Sequence, residues 1–489
     1  MQYLSTRDSA LRVSAQEAIV RGLAPQSGLF VPETFPQADL DAWKNLSYPE
    51  LAEKVLAGFL TDYSADFLHT ATASTYGAAF GGKAGETVKV RDGLYSLELW
   101  HGPTCAFKDY ALQLMPKLLV EAKKMLGRTE TTRILVATSG DTGKAALAGY
   151  ADLDGIEIEV FYPNDGTSEI QHLQMATQKG ENVQVYAVQG NFDDAQTGVK
   201  KVFADADVAA ELEKRGIRLS SANSINWGRL VPQIVYYFYA YFRLAEQGAV
   251  EWGKPVDFCV PTGNFGDILA GYYAKQMGLP VGRLVCASNK NNVLTDFLRT
   301  GTYDARRTFY KTTSPSMDIL ISSNLERLLY HVSGSSEKVA GWMQELSATG
   351  KYTVDAETLA KIQQSFAAGY ADDADGAAEI KARFDGDHYL CDTHTAVAAN
   401  VMEQYRAATG DKTVTVFVST ASPYKFCDHV LRAIGETPAG DGVELLDQLH
   451  ETTGTAIPRR LAALKGKARR FDLTCEKPGM DSVVLDFLK

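Results

Sequence analysis

Short runs of β-branched and aromatic residues recur along the chain, each leading through a glycine- or hydroxyl-rich turn into a segment whose apolar positions repeat at helical spacing. Three such units carry the organisation. The run 133–137 enters Ser139-Gly140-Asp141-Thr142-Gly143, continues as a helical stretch over 144–150 and is followed by a second strand over 156–161. The run 183–188 passes through Gly190-Asn191 to a helical pattern from about residue 193, with 217–220 as the next strand. The run 256–260 enters Gly263-Asn264-Phe265-Gly266-Asp267, becomes a helix and returns as a strand over 284–287. Repeated strand–helix–strand units predict an α/β fold with parallel sheets, right-handed crossovers and ligands at the carboxyl ends of the strands. A last strand over 414–418 ends in another polar loop, Ser419-Thr420-Ala421-Ser422-Pro423.

The first ninety or so residues are less regular, with the turn-rich GLAPQSGLFVPE at 22–33, and are expected to form an N-terminal cap region. Residues 290–390 read mostly as helices, broken at Lys351-Tyr352 and at 383–387. The expected division is 1–92 for the N-terminal region, 93–225 for a first parallel-sheet unit and 226–489 for a larger one.

Composition narrows the function classes. The 489 residues are 45% hydrophobic and 22% charged, enough to bury a large core. A net charge of −11 opposes binding to nucleic acid or to an anionic membrane, so an anionic ligand needs a local site. The six cysteines are scattered without close pairs, which argues against a disulfide framework and against a metal site. The opening MQYLSTRDSALRVS shows no signal-peptide pattern, and the longest apolar run, 234–242, is too short to span a bilayer. A cytoplasmic, reducing environment is the expectation.

The three strand exits offer hydroxyls and backbone amides but hardly any acid or base. Asp141 or Thr142 also suits ordinary helix capping. The Gly263 loop reads either as a plain tight turn or as a nest of N–H groups for an anion; it lacks both the Gly-Lys-Ser/Thr ending of a nucleotide loop and a three-glycine dinucleotide spacing. Binding groups without a catalyst suggest that a cofactor carries the chemistry and brings its own phosphate. Pyridoxal phosphate does so, and it needs a lysine that forms a Schiff base. Lys108 is the candidate, within LELWHGPTCAFKDYALQLMPKLL at 97–119, in the first turn of an amphipathic helix after the strand 97–100. Its apolar approach through Cys105, Ala106 and Phe107 would disfavour the cation.

HGPTCAFKD, ATSGDTG, NSINWGRLVPQ, PTGNFGD and STASPYKF, in this order, resemble threonine synthases of the longer, bacterial and fungal kind. The resemblance covers nearly the whole chain and implies pyridoxal-phosphate-dependent fold type II, similar to tryptophan synthase β, with two parallel-sheet αβα domains and an N-terminal cap region. It implies Lys108 as the Schiff-base lysine and proton carrier; Gly263, Asn264, Phe265, Gly266 and Asp267 as the cofactor-phosphate loop; and Thr420 beside the pyridine nitrogen. For the substrate, O-phosphohomoserine, it implies Ser139, Thr142, Asn223, Ser224 and Arg229. The implied reaction eliminates phosphate from the γ carbon and adds water at the β carbon to give threonine, in a monomer or homodimer. Shorter relatives carry asparagine where this chain has Asp141, so the role of Asp141 stays open.

A threonine or serine dehydratase, a β-replacement enzyme and a non-catalytic phosphometabolite-binding protein remain alternatives, the first two opposed by NSINWGR as a second phosphate site. The aromatic cluster 236–239 is expected in the core or at a subunit contact. Asp392-Thr393-His394-Thr395 reads as a helix start rather than a metal site, and Cys105 as a packing residue.

Overall fold

The structure, a computed structural model, describes residues 1–164 and 167–487. Two parallel sheets dominate it. The larger runs Phe366–Tyr370, Val281–Ser288, Val256–Pro261, Thr415–Ser419, Leu94–Glu98 and Glu86–Arg91, with every neighbouring pair parallel except the last. The smaller runs Leu473–Glu476, Val183–Gln189, Ile156–Pro163, Thr131–Ala137 and Ile217–Ser221, all parallel. The strands expected from hydrophobic runs are therefore present, and α/β fold type II holds.

The boundaries at 92 and 225 do not separate the sheets. Leu94–Glu98, the strand before Lys108, pairs with Thr415–Ser419 in the large sheet, and Leu473–Glu476 returns from the far end of the chain to the small one. Local pattern identifies a strand but not its sheet, because pairing is decided by distant residues. The N-terminal region is likewise no detached cap: its three-stranded antiparallel sheet and the helices Ala15–Arg21 and Tyr48–Phe59 share one apolar core with both sheets.

Helix Thr393–Thr409 lies across four strands of the large sheet. One face of the small sheet packs against Phe192–Ala204, Ala206–Lys214 and Met480–Leu485. On strand Ile156–Pro163, Glu159 is fully buried, neither of its carboxyl oxygens has a hydrogen-bond partner, and burial pushes it up to about 8 despite the nearby Arg133.

Two expected breaks are elements. Lys351–Thr353 is a strand paired with Thr302–Asp304. Residues 383–387 complete helix Asp373–Asp387, because Arg383 stands one turn from both Glu379 and Asp387, pairs with both and holds the last turn; His388 then ends it in the left-handed conformation. The aromatic cluster belongs to the core: Tyr236, Tyr237 and Phe238 are fully buried in helix Ile234–Glu246.

Candidate active site

The carboxyl ends of both sheets open on one cavity of about 790 Å³. It is lined by Lys108, Ser139, Thr142, Asn223, Ser224, Arg229, the whole loop Gly263, Asn264, Phe265, Gly266 and Asp267, and Thr420. Residues scattered over more than three hundred positions are thus brought to a single place.

Lys108 reaches the cavity differently from the sequence expectation. It immediately precedes the four-residue helix Asp109–Leu112, and the longer amphipathic helix begins only at Met115. Its segment is stitched to the loop after the large sheet's strand Thr415–Ser419: Phe107 N–H donates to the Thr420 carbonyl at 2.8 Å, and Ser422 N–H to the Cys105 carbonyl at 3.2 Å. Cys105 adopts φ 61, a left-handed turn that redirects the chain before the lysine. The amine donates to Ser316 Oγ at 3.2 Å, and Lys108 pairs with no carboxylate among the described residues. Burial lowers its pKa to about 8, partly offset by Asp141 and reinforced by Lys425 and Arg229.

The glycine loop is built for close approach. A Cβ on Gly263 would stand 2.8 Å from the Ser316 carbonyl oxygen and 3.2 Å from Met317 Cα, so only glycine fits. Phe265 holds φ 64 at the N-cap of helix Gly266–Gln276 and is pinned by burial. Carbonyls of the loop are tied outward: Gly263 O accepts from Ser322 Oγ at 2.7 Å, and Asn264 O from Asn324 N–H at 3.1 Å. Among the described residues nothing accepts from the N–H groups of Gly263, Asn264, Phe265 or Gly266. Free amides at a helix N-terminus are what a phosphate group takes. Asp267 does not face that phosphate: it accepts from Tyr236 and Tyr237 hydroxyls at 2.7 and 2.8 Å, and burial raises it to about 6.

A second candidate anion position lines the same cavity. Arg229 lies in helix Trp227–Leu230, capped by Asn226, and is 4% exposed. Its Nη1 donates to the Ala222 carbonyl, its Nε has no partner, and it pairs with no carboxylate among the described residues. A buried, unpaired guanidinium beside a cavity is an anion receptor. Burial lowers its pKa to about 10, which leaves it charged at neutral pH. Asn223 and Ser224 flank it, Ser224 N–H donating to Asn223 Oδ1 at 2.8 Å.

On the small sheet, Thr138 Oγ1 accepts from Gly140 and Gly143 N–H at 2.9 Å each and so shapes the turn that presents Ser139 and Thr142. Gly140, not Asp141, is the N-cap, and Asp141 begins helix Asp141–Tyr150. Asp141 turns away from the cavity: its Oδ1 lies 2.5 Å from Lys425 Nζ and accepts from Gln171 Nε2 at 2.8 Å. Burial would raise this carboxyl, yet Lys425 and Lys108 hold it well below the ordinary range.

Sequence reasoning missed Ser316, Lys425 and the position of His394. Ser316 sits in the 3-10 turn Pro315–Met317, in a segment fixed by Asp318, which accepts from Asn289, Asn291 and Thr312 at 2.8 to 3.0 Å. His394 lines the cavity, with Nδ1 2.8 Å from Asp392 Oδ2 and Nε2 accepting from Ser316 N–H at 3.2 Å. Asp392 does cap helix Thr393–Thr409 as expected. Outside the cavity, Glu86 and Glu98 face each other across the antiparallel pair, and His101 Nε2 stands 3.3 and 2.7 Å from them, with Lys83 also on Glu86. The lysine relieves the like-charge pairing, and the His101 ring lies between the two carboxylates.

The residues fit pyridoxal phosphate. A lysine without a carboxylate partner and a row of free amides share one cavity, and Ser316 touches both.

Comparison with known proteins gives three family matches along the chain: the threonine synthase N terminus over residues 2–76, pyridoxal-phosphate dependent enzymes over 84–421 and the threonine synthase C-terminal region over 395–480. Threonine synthase of Pseudomonas aeruginosa is 38% identical over 473 residues, covering 95% of this chain and 97% of its own. The human threonine synthase-like 1 is 39% identical over 456 residues, 88% of this chain; the match spans 60% of that relative's length. The crystal structure of PLP-bound threonine synthase from Brucella melitensis superposes with a TM-score of 0.88 at 35% identity, over 100% of this chain and 99% of that one.

Proposed function

The chain belongs to the pyridoxal-phosphate-dependent threonine synthase family, and from that premise we propose that it converts O-phosphohomoserine and water to threonine and inorganic phosphate. Lys108, the amides of Gly263, Asn264, Phe265 and Gly266, and the Thr420 hydroxyl would hold pyridoxal phosphate, which would supply an electron sink for negative charge on the substrate. A neutral hydroxyl at Thr420 moderates that sink.

The chain's own groups divide the remaining work. Arg229, with Ser139, Thr142, Asn223 and Ser224, holds the substrate phosphate and places the γ carbon for its departure. Lys108, once released, takes and returns protons at the substrate's α and β carbons; an amine with a pKa near 8 is matched to that at neutral pH. Ser316 orients it, and His394 fixes Ser316 through its backbone. The enzyme is taken as a cytoplasmic monomer or homodimer acting on a small molecule. All six cysteines are buried and unpaired, and no helix among the described residues is long and apolar enough to cross a membrane.

One observation carries the reading: a buried arginine without a carboxylate faces the same cavity as the lysine and the glycine loop. A dehydratase of this fold needs an anion site for its substrate's carboxylate but none for a second phosphate. The test is release of inorganic phosphate and threonine from O-phosphohomoserine by the native protein and by Lys108→Ala. Turnover is expected only in the native protein. Deamination of serine or threonine without phosphate release would replace this reading by a dehydratase, and undiminished turnover in the variant would remove Lys108 from its role.

A further inference from the structure

We propose that the ion pair between Asp141 and Lys425 is a positioning element behind the cavity, which tethers the Ser139–Thr142 turn to the large sheet and governs the charge on the Lys108 amine. Asp141 opens the helix that follows the small sheet's strand Thr131–Ala137, whereas Lys425 follows the large sheet's strand Thr415–Ser419. The pair therefore bridges the two sheets, and it is almost fully buried, at 3% and 0% exposure of its side chains. Each partner is also held by its own side. Gln171 donates to Asp141, and Lys425 donates to the Thr104 carbonyl at 3.1 Å, which Gln174 shares at 3.1 Å. The Lys425 carbonyl accepts from Ser168 Oγ at 2.9 Å, a further tie between the halves.

Neither residue lines the cavity, so the pair acts through others. Its reach is electrostatic. Lys108 feels the charge of Asp141 at the start of helix Asp141–Tyr150, of Lys425 in the segment after Thr415–Ser419 and of Arg229 in helix Trp227–Leu230; Ser316 contacts it, with His394 behind. The Asp141 carboxylate favours the ammonium form, and the two cations disfavour it, on top of burial. Two of these opposing influences are locked in one pair, so they act on the lysine in opposite senses. Breaking either partner leaves the other buried and uncompensated.

The consequence is a pair of opposite shifts. Removing Asp141 strips the group that favours the charged amine, and removing Lys425 strips one that disfavours it. A merely structural pair would not move Lys108 in opposite senses. The inference rests on the proposed function only in calling Lys108 the reacting amine; its test uses the cofactor-free chain and stands apart from any turnover.

The experiment measures the pH dependence of Lys108 acylation by a small amine reagent, read by mass spectrometry of its peptide. The cofactor-free native chain is compared with Asp141→Asn, Lys425→Met and the double variant. The native midpoint is expected near 8. It should fall by about one unit in Asp141→Asn, rise by about one unit in Lys425→Met, and lie between the two in the double variant. Faster hydrogen exchange at 139–144 is expected in both single variants, since the tether is lost. Thermal melts cover a single variant too unstable to titrate: the double variant is expected to melt above both singles. Midpoints that stay put or shift the same way, or a double variant that melts below both singles, would overturn the proposal.

Discussion

Gly263 and Ser316 approach so closely that a single methyl group between them would stand 2.8 Å from a carbonyl oxygen. The same Ser316 accepts a hydrogen bond from Lys108, so one residue links the amine to the anion cradle.

Substituting Gly263→Ala should therefore push the cradle and the Ser316 loop apart. Overpacking of this kind costs about 1–3 kcal/mol. Pyridoxal-phosphate affinity, followed by absorbance titration of the cofactor-free chain, is expected to weaken about 10- to 100-fold. Unchanged affinity would mean that the loop does not hold the cofactor.

Arg229→Gln should leave cofactor binding intact and raise the KM for O-phosphohomoserine. Loss of a charge-assisted hydrogen bond predicts a fall in kcat/KM of about 10- to 100-fold. Steady-state phosphate release measures it. An equal loss of cofactor would instead give Arg229 a structural role.

The legibility of this site in the sequence follows from the range of each interaction. Strands such as Val256–Pro261 and the turn after them are written in consecutive residues, so the Gly263 loop and its helix were readable. The family motifs then supplied Arg229 and Thr420, whose neighbours alone say nothing of chemistry. Ser316 is not legible because it lies in the single 3-10 turn Pro315–Met317, whose place depends on Asp318 gathering Asn289, Asn291 and Thr312. The role of Asp141 was invisible for the same reason, since its partner Lys425 lies almost three hundred residues away. The helical turn 383–387 was misread because its ion pairs to Glu379 and Asp387 outweigh a composition that reads as a break.

Asp318→Ala should loosen that gathered loop. Three side-chain donors lose their acceptor, at a cost of about 2–4 kcal/mol. A lower denaturant midpoint is expected, together with faster proteolysis between residues 309 and 317. Identical proteolysis in the variant would show that the loop is held by other contacts.

Glu159 supplies a pH signature. Its pKa of about 8 in the fold against an ordinary 4.5 means that the native state holds the extra proton between those values. Its contribution is complete below 4.5 and is lost as pH rises through 8, so stability should fall across that window. Glu159→Gln cannot ionise and should flatten the trend, by on the order of a few kcal/mol at pH 8. Melting temperatures of both proteins between pH 5 and 9 test this; parallel curves would exclude it.

The small sheet closes with Leu473–Glu476, contributed by residues from the opposite end of the polypeptide and laid beside Val183–Gln189. During synthesis on a ribosome, that flank waits with open amides and carbonyls until residues 473–476 have been made, almost three hundred positions later. A nascent chain of this kind is exposed to edge-to-edge association throughout that interval, and a nonsense codon ahead of residue 473 would make that exposure permanent.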